Sequence, residues 1–154
     1  MSFILTFVLS HEVKKVADIL SRKGSNVISV DPNTSVIDAL QLMANKNIGS
    51  VAIVQNEKFL GLMTERDYSR KVILKGRASN ETTVSEIMDI ERPSISKNDS
   101  VERCMELMAD RNIRYLPVIE NDHLAGIISI NDVVLETILT QRETIEHLQN
   151  YIHS

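Results

Sequence analysis

A chain of 154 residues with 43% apolar and 25% charged side chains can form one domain, or two small interlocked ones, around a buried core. Its net charge of −4 gives none of the basic excess that a nucleic-acid face needs. Cys104 is the only cysteine, which excludes an internal disulfide and a cysteine-rich zinc site and suits a reducing cytoplasm.

The first ten residues, Met1 to Ser10, are apolar but lack a positive start and are too short to span a bilayer. They read as a segment packed on the domain or on a partner. No later stretch approaches about 18 uninterrupted apolar residues, so no membrane span is expected. Residues 12–21 carry Val13, Val16, Ala17, Ile19 and Leu20 among charges, the pattern of a short amphipathic helix. A linker from Ser21 to Asn26 leads to a short strand, Val27 to Val30, and to the turn Asp31-Pro32-Asn33-Thr34. A helix is expected from about Ser35, burying Val36, Ala39, Leu40, Leu42 and Met43 and closing near Asn47. Strands Ser50 to Gln55 and Phe59 to Met63 follow, joined by Asn56-Glu57-Lys58. A second helix opens at Thr64 and runs to about Leu74, with Gly76 placed to stop it.

The pattern then restarts. A shift of 65 residues aligns 33–67 with 98–132 without a gap, and 11 of those 35 positions are identical. Among them are Val36/Val101, Leu42-Met43-Ala44/Leu107-Met108-Ala109, Asn47-Ile48/Asn112-Ile113, Gly61/Gly126 and Asp67/Asp132. Ile19 finds a counterpart in Ile87 after three residues of slack. An internal duplication accounts for this. Each copy reads strand–helix–strand–strand–helix, an α+β unit too small to cover both faces of its own sheet. Two copies packed sheet to sheet about a pseudo-twofold axis remove that difficulty. The expected division is 1–15 as an N-terminal segment, 16–76 and 77–139 as the two repeats, and 140–154 as an extension of the last helix. In that helix Val134, Ile138, Ile145, Leu148 and Ile152 form a narrow apolar stripe suited to another helix. The stripe either folds back on its own domain or makes a dimer contact; the dimer is the favoured reading.

The chemistry concentrates in Gly61-Leu62-Met63-Thr64-Glu65-Arg66-Asp67 and its echo Gly126-Ile127-Ile128-Ser129-Ile130-Asn131-Asp132. Each is the end of an apolar strand, a hydroxyl residue suited to cap a helix, and a carboxylate three positions on. A helix N-terminus can hold a phosphate nearby, and an ionised carboxylate can accept both hydroxyls of a ribose diol. One such Gly-x-x-[Ser/Thr]-x-x-Asp is explained by ordinary capping; two in the same context point to a site.

This paired motif resembles a tandem of cystathionine-β-synthase (CBS) domains, a Bateman module, over roughly Val16 to Leu139. The run from Thr64 to Ile73 resembles small stand-alone CBS-pair proteins of bacteria and organelles. The resemblance implies the sheet-to-sheet fold above, with flat dimers completed here by the C-terminal helix. It implies an adenine nucleotide as regulatory ligand: AMP first, with ADP, ATP or NAD(H) as alternatives. Asp67 and Asp132 would then bind ribose, helped by Thr64 and Ser129. Backbone around Ile28, Val30 and Ile95 would border the base, with the side chains of Met63 and Ile128 near the adenine faces. Arg66, Arg70 and Lys71 cluster beside Asp67, the last two at i+3 and i+4 from it, and are phosphate candidates. The resemblance adds Arg114, since the opposite copy often completes the phosphate end of a CBS site. The positions beside Asp132 are Asn131, Leu135 and Glu136, so that site is expected to be poorer in cations.

Nothing in the sequence supplies a catalytic pair, a Gly-rich phosphate loop or a nucleophile elbow. His11, His123, His147 and His153 lack metal-ligand spacing, and Cys104, Met43, Met63, Met105 and Met108 fall at core positions. The expected function is therefore a non-enzymatic, cytoplasmic regulatory module. It would sense energy or redox state through its nucleotide and signal to an effector protein in trans. A ligand-free interaction scaffold of the same fold is the alternative, and a nucleotide-processing enzyme a third reading.

Overall fold

Each repeat starts from a serine-capped helix. Ser35 accepts a hydrogen bond from the Asp38 N–H (3.2 Å) and Ser100 from the Arg103 N–H (3.0 Å), a cap worth about 1 kcal/mol. Both helices end on asparagine in the left-handed region, Asn47 at φ 54° and Asn112 at φ 52°. Asparagine tolerates that conformation better than most L residues. The hairpins that follow turn on Asn56-Glu57 (φ 51°, 65°) and Asn121-Asp122 (φ 50°, 64°), two successive positive φ values as in a type I′ turn. Three of the pairs identical at the 65-residue shift, Ser35/Ser100, Asn47/Asn112 and Asn56/Asn121, are thus the caps and turns themselves.

A computed structural model describes residues 14–153 of the chain; the apolar start, His11 and Val13 lie outside the described residues. In order the elements are α1 (Val16–Lys23), β1 (Ser29–Val30), α2 (Val36–Lys46), β2 (Ser50–Gln55), β3 (Lys58–Thr64) and α3 (Glu65–Tyr68). After a single 3₁₀ turn at Val84–Glu86 come α4 (Val101–Arg111), β4 (Tyr115–Glu120), β5 (His123–Ser129) and α5 (Ile130–His153). The fold is mixed α+β with two small sheets, of order β1-β2-β3 and β4-β5. In the first, β1 runs parallel to β2 (Ser29 opposite Ala52) and β3 antiparallel to it (Thr64 opposite Ser50). Ile28, which precedes β1, and Thr64 therefore lie toward the same end of the sheet.

The expected helix from Thr64 to Leu74 is corrected in its second half. After Tyr68 it continues as a π-helical turn, Ser69–Ile73, in which the Leu74 N–H donates to the Ser69 carbonyl (3.0 Å). The wider ring keeps Val72 fully buried while its neighbour Lys71 finds two acceptors, described below. Gly76, at φ 66°, closes this segment with its N–H on the Ile73 carbonyl.

The described residues divide into two compact units that do not follow the order of the repeats. One contains Asn26–Pro93 and Ile119–Gly126; the other contains the chain up to Ser25, Ser94–Val118, and the chain from Ile127. In the first, the Val36 N–H donates to Thr82 O (2.8 Å) and the Val84 N–H to Thr34 O (2.9 Å). In the second, the Val16 N–H donates to Asp99 O and the Val101 N–H to Lys14 O, both at 2.9 Å. These bond pairs are equivalent. The leading segment of the first repeat is thus bonded to the first helix of the second, and the linker segment at Val84 to that of the first.

The core of the first unit gathers Val36, Ala39, Met43, Val51, Ile53, Met63, Val72, Val84 and Ile87. Leu40 and Leu42, expected inside, are only half-buried. Ala52 and Leu62 alternate with the core-facing strand residues and are also fully buried, so this sheet is covered on both faces. The other unit buries Val16, Ile19, Leu20, Val101, Cys104, Met108, Leu116, Val118, Ile128 and Val133. Cys104 has its thiol pushed up to about 11, first by burial and then by the charge of Asp99, as befits a packed side chain and not a nucleophile.

Gly61 is needed for space. Residues 88–89 cross β3 there, with Leu62 and Asp89 exchanging backbone hydrogen bonds (2.7 and 3.1 Å). A Cβ on Gly61 would stand 2.8 Å from the Asp89 carbonyl oxygen and 3.3 Å from Met88. Gly61→Ala should therefore destabilise the protein by about 1–3 kcal/mol. Urea unfolding is the measurement; an unchanged midpoint would show that the crossing segment moves aside freely.

Candidate functional site

The two strand-to-helix junctions share one construction. Thr64 and Ser129 end β3 and β5 in extended conformation, and the next N–H turns back to a carbonyl before the preceding strand. The Glu65 N–H donates to Gly49 O (3.2 Å) and the Ile130 N–H to Arg114 O (2.8 Å). Three residues on, the carboxylate closes the cap. Asp67 Oδ2 accepts from the Thr64 N–H (2.9 Å) and the Thr64 hydroxyl (3.0 Å), while the Asp67 N–H is 3.2 Å from Thr64 Oγ1. Asp132 Oδ2 accepts from the Ser129 N–H (2.8 Å), and the Asp132 N–H donates to Ser129 Oγ (3.1 Å). These are reciprocal capping boxes.

Each carboxylate also holds an ammonium. Lys71 Nζ lies 3.0 Å from Asp67 Oδ1 and donates to the Ile87 carbonyl (2.9 Å). Lys23 Nζ lies 2.7 Å from Asp132 Oδ2 and donates to the Ile127 carbonyl (2.9 Å). Lys71 was expected from its i+4 spacing; Lys23 was not, being 109 residues from Asp132. Its presence offsets the shortage of cations expected at the second junction. Glu136, which stands where the first repeat has Lys71, is 3% exposed and pairs with Arg22, the neighbour of Lys23.

The other candidates divide by unit. Thr64, Asp67, Arg66, Arg70, Lys71, Met63, Ile28 and Val30 lie in the unit of the first sheet, with Arg70 exposed and Arg66 half-buried. Ser129, Asp132, Ile128, Ile95 and Arg114 lie in the other. Arg114 is exposed, with its carbonyl tied to Ile130 of its own repeat. Ile95 takes the place in that unit that β1 takes in the first: it bridges Val118 in parallel, its N–H on Pro117 O at 3.0 Å. The Ile28 carbonyl accepts from the Ala52 N–H (3.1 Å) in β2. Met63 and Ile128 are 0% exposed, side chain and backbone alike.

Among the described residues, no group of three His, Cys, Asp or Glu side chains is arranged to hold a metal, and no helix is long and apolar enough to cross a membrane. A cavity of about 670 Å³ between α4 and α5, lined by Val101, Met105, Thr137, Thr140, Thr144 and Ile145 among others, contains none of the candidate residues.

Chemically, each junction offers an oriented carboxylate with an ammonium beside it, buried at Asp67 and half-buried at Asp132. Asp67 is 7% exposed, and its oxygens already take three donors of the roughly four they can accept. Asp67→Ala strands the Thr64 N–H and hydroxyl and should cost about 1–3 kcal/mol. Lys71→Met breaks a pair whose lysine is 43% exposed and should cost about 0.2–1 kcal/mol. Thermal unfolding of the two variants without ligand checks the order; equal losses would mean that the ion pair, and not the cap, holds the junction.

Comparison with known proteins matches the family model described as CBS domain at residues 16–73 and again at 84–137. The mitochondrial CBS domain-containing protein CBSX3 of Arabidopsis thaliana is 33% identical over 150 residues, 92% of this chain and 73% of its own. The crystal structure of the CBS-domain containing protein ATU1752 from Agrobacterium tumefaciens is 38% identical. It superposes at a TM-score of 0.74 over 78% of this chain and 90% of that one. The CBS domain pair of protein MJ0100, solved with 5′-methylthioadenosine and S-adenosyl-L-methionine, is 24% identical. Its TM-score is 0.68, over 79% of this chain and 94% of that one.

Proposed function

The chain belongs to the CBS-domain family, and from that premise we propose that it is a regulatory module, not an enzyme, that binds an adenine nucleotide at its two capped carboxylates. The observation that carries this reading is the duplicated junction itself: hydroxyl cap, capping aspartate and ammonium, built twice from different lysines. A cap alone requires no cation, and a core position requires no charge. A ribose with phosphate attached uses both, the diol on the carboxylate and the phosphate on the cation. The fold neighbour MJ0100, with two adenosyl compounds bound, supports the ligand class. AMP is the first choice within it, with ADP, ATP and NAD(H) next. Thr64 and Ser129 assist at the sugar; Arg66, Arg70, Lys71 and Arg114 are the phosphate candidates. Backbone around Ile28, Val30 and Ile95 borders the base, with Met63 and Ile128 near the adenine faces.

Signalling is to an effector protein in trans, in the cytoplasm, by population shift: the ligand favours the conformations in which the junctions are closed around it. A homodimer is the working assembly. Val134, Ile138, Ile145, Leu148 and Ile152 of α5 are all exposed in the single chain, Ile152 to 74%, so the stripe is not covered by its own domain. Replacing Ile145 and Leu148 together by Lys should yield folded monomers, read by light scattering; an unchanged mass would remove this role from the helix.

The second reading, a ligand-free scaffold, has one observation in its favour: both aspartates already hold a capping hydrogen bond and an ion pair without any ligand. Thermal shift decides between the two. At about 100 times its dissociation constant, a ligand that binds only the folded state adds ~2.7 kcal/mol. For a domain of this size that raises the melting point by about 5–11 °C. AMP should do so at millimolar concentration; no shift with AMP, ADP, ATP or NAD(H) would favour the scaffold. Mass spectrometry of ligands released from the purified protein identifies the nucleotide.

A further inference from the structure

Lys23 has no counterpart in the sequence repeat, yet it does at Asp132 what Lys71 does at Asp67. Both ammonium groups touch the capping carboxylate and one backbone carbonyl, and both remain more than a third exposed, 37% for Lys23 and 43% for Lys71. An ammonium has three N–H donors. Two of the donors of Lys23 are used, on Asp132 Oδ2 at 2.7 Å and on the Ile127 carbonyl at 2.9 Å. The third is left for an acceptor from solvent.

The position of this ammonium is fixed by its surroundings. Gly24, at φ 88° and ψ 161°, ends α1 immediately after Lys23 in a conformation open essentially to glycine alone. Arg22 is held by the buried Glu136, one turn along α5 from Asp132. The last turn of α1 is thereby held against the start of α5, and Lys23 has little freedom except at its tip. In the first unit the carbonyl equivalent to Ile127 O, that of Leu62, takes the backbone N–H of Asp89 instead. Lys23 thus replaces a neutral peptide donor by a positive charge.

We propose that Lys23 is the phosphate-recognising residue of the Asp132 site, a binding residue that supplies its third N–H to a phosphate oxygen of a nucleotide whose ribose is held by Asp132. The inference rests on the nucleotide reading above and adds a cation to a junction whose own neighbours in sequence, Asn131, Leu135 and Glu136, supply none. Without an ammonium between them, a phosphate would be repelled by the Asp132 carboxylate; with Lys23 in place the two anions share one counter-charge.

The test is calorimetric titration of AMP and adenosine into the full chain, as the parent, Lys23→Met and Lys23→Arg, with circular dichroism to verify folding. In Lys23→Met, AMP affinity at one of the two sites should fall at least about tenfold, the loss expected for a charge-assisted hydrogen bond, while adenosine affinity is unchanged. Lys23→Arg keeps the charge and should retain most of the preference for AMP over adenosine. A lysine that only braces α1 would weaken both ligands alike, and one that merely blocks the site would tighten both when removed. Either result overturns the proposal, as does no change in either ligand. A parent that binds AMP and adenosine equally well would overturn the lysine assignment and leave the nucleotide reading standing. A parent that binds neither would end both.

Discussion

Two equivalent pairs of backbone hydrogen bonds underlie the rest of the architecture: Val16 with Asp99 and Val101 with Lys14, then Val36 with Thr82 and Val84 with Thr34. They supply partners to N–H groups at the starts of α2 and α4, where a helix has no internal acceptors to offer. Those partners come from a segment that precedes the other repeat in sequence. Each unit is consequently assembled from residues far apart in the chain, and neither repeat is complete by itself. The placement of Lys23 follows directly: once Val16 is bonded to Asp99, a helix of eight residues brings its last turn to Asp132.

Much of the fold was legible because the informative residues act locally. Ser35 and Ser100 cap the helices they precede, Asn47 and Asn112 close them, and Asn56 and Asn121 open the hairpins. Each works through its own backbone preference, so a one-dimensional pattern contains the information. The capping role of Asp67 and Asp132 was legible for the same reason. Their lysines were not equally so. Lys71 is four residues from its partner and can be found by spacing; Lys23 is 109 residues from its partner, and only the exchange of leading segments brings them together. That exchange leaves no local trace, since Ile19 and Ile87 look alike whichever unit they join. The π-helical turn at Ser69–Ile73 was missed because it shifts the hydrogen-bond ring by one residue without altering the residue types involved.

The full burial of Met63 and Ile128 has its reason in the strands. Strand residues alternate between faces, so the residue before a capping hydroxyl is directed by the strand's period and not by the site. In this chain that period turns both side chains into packing, and at 0% exposure their peptide groups are covered as well.

The two junctions, alike in their hydrogen bonds, differ in what they join. At Asp67 the cap, carboxylate and lysine belong to one short stretch of helix, with the Ile87 carbonyl beside it. Lys71 lies within the π-helical turn, so its contacts tie that turn to the cap and to the segment at Ile87. At Asp132 the carboxylate belongs to α5 and the ammonium to α1, while Arg22–Glu136 joins the same two helices and Lys14, just before α1, pairs with Glu143 of α5. Any ligand that competes for Lys23 there changes the balance of charges between α1 and α5, the helix with the exposed apolar stripe. A duplicated motif has thus acquired one junction held locally and one connected to a long helix, and the difference comes from a lysine outside the motif.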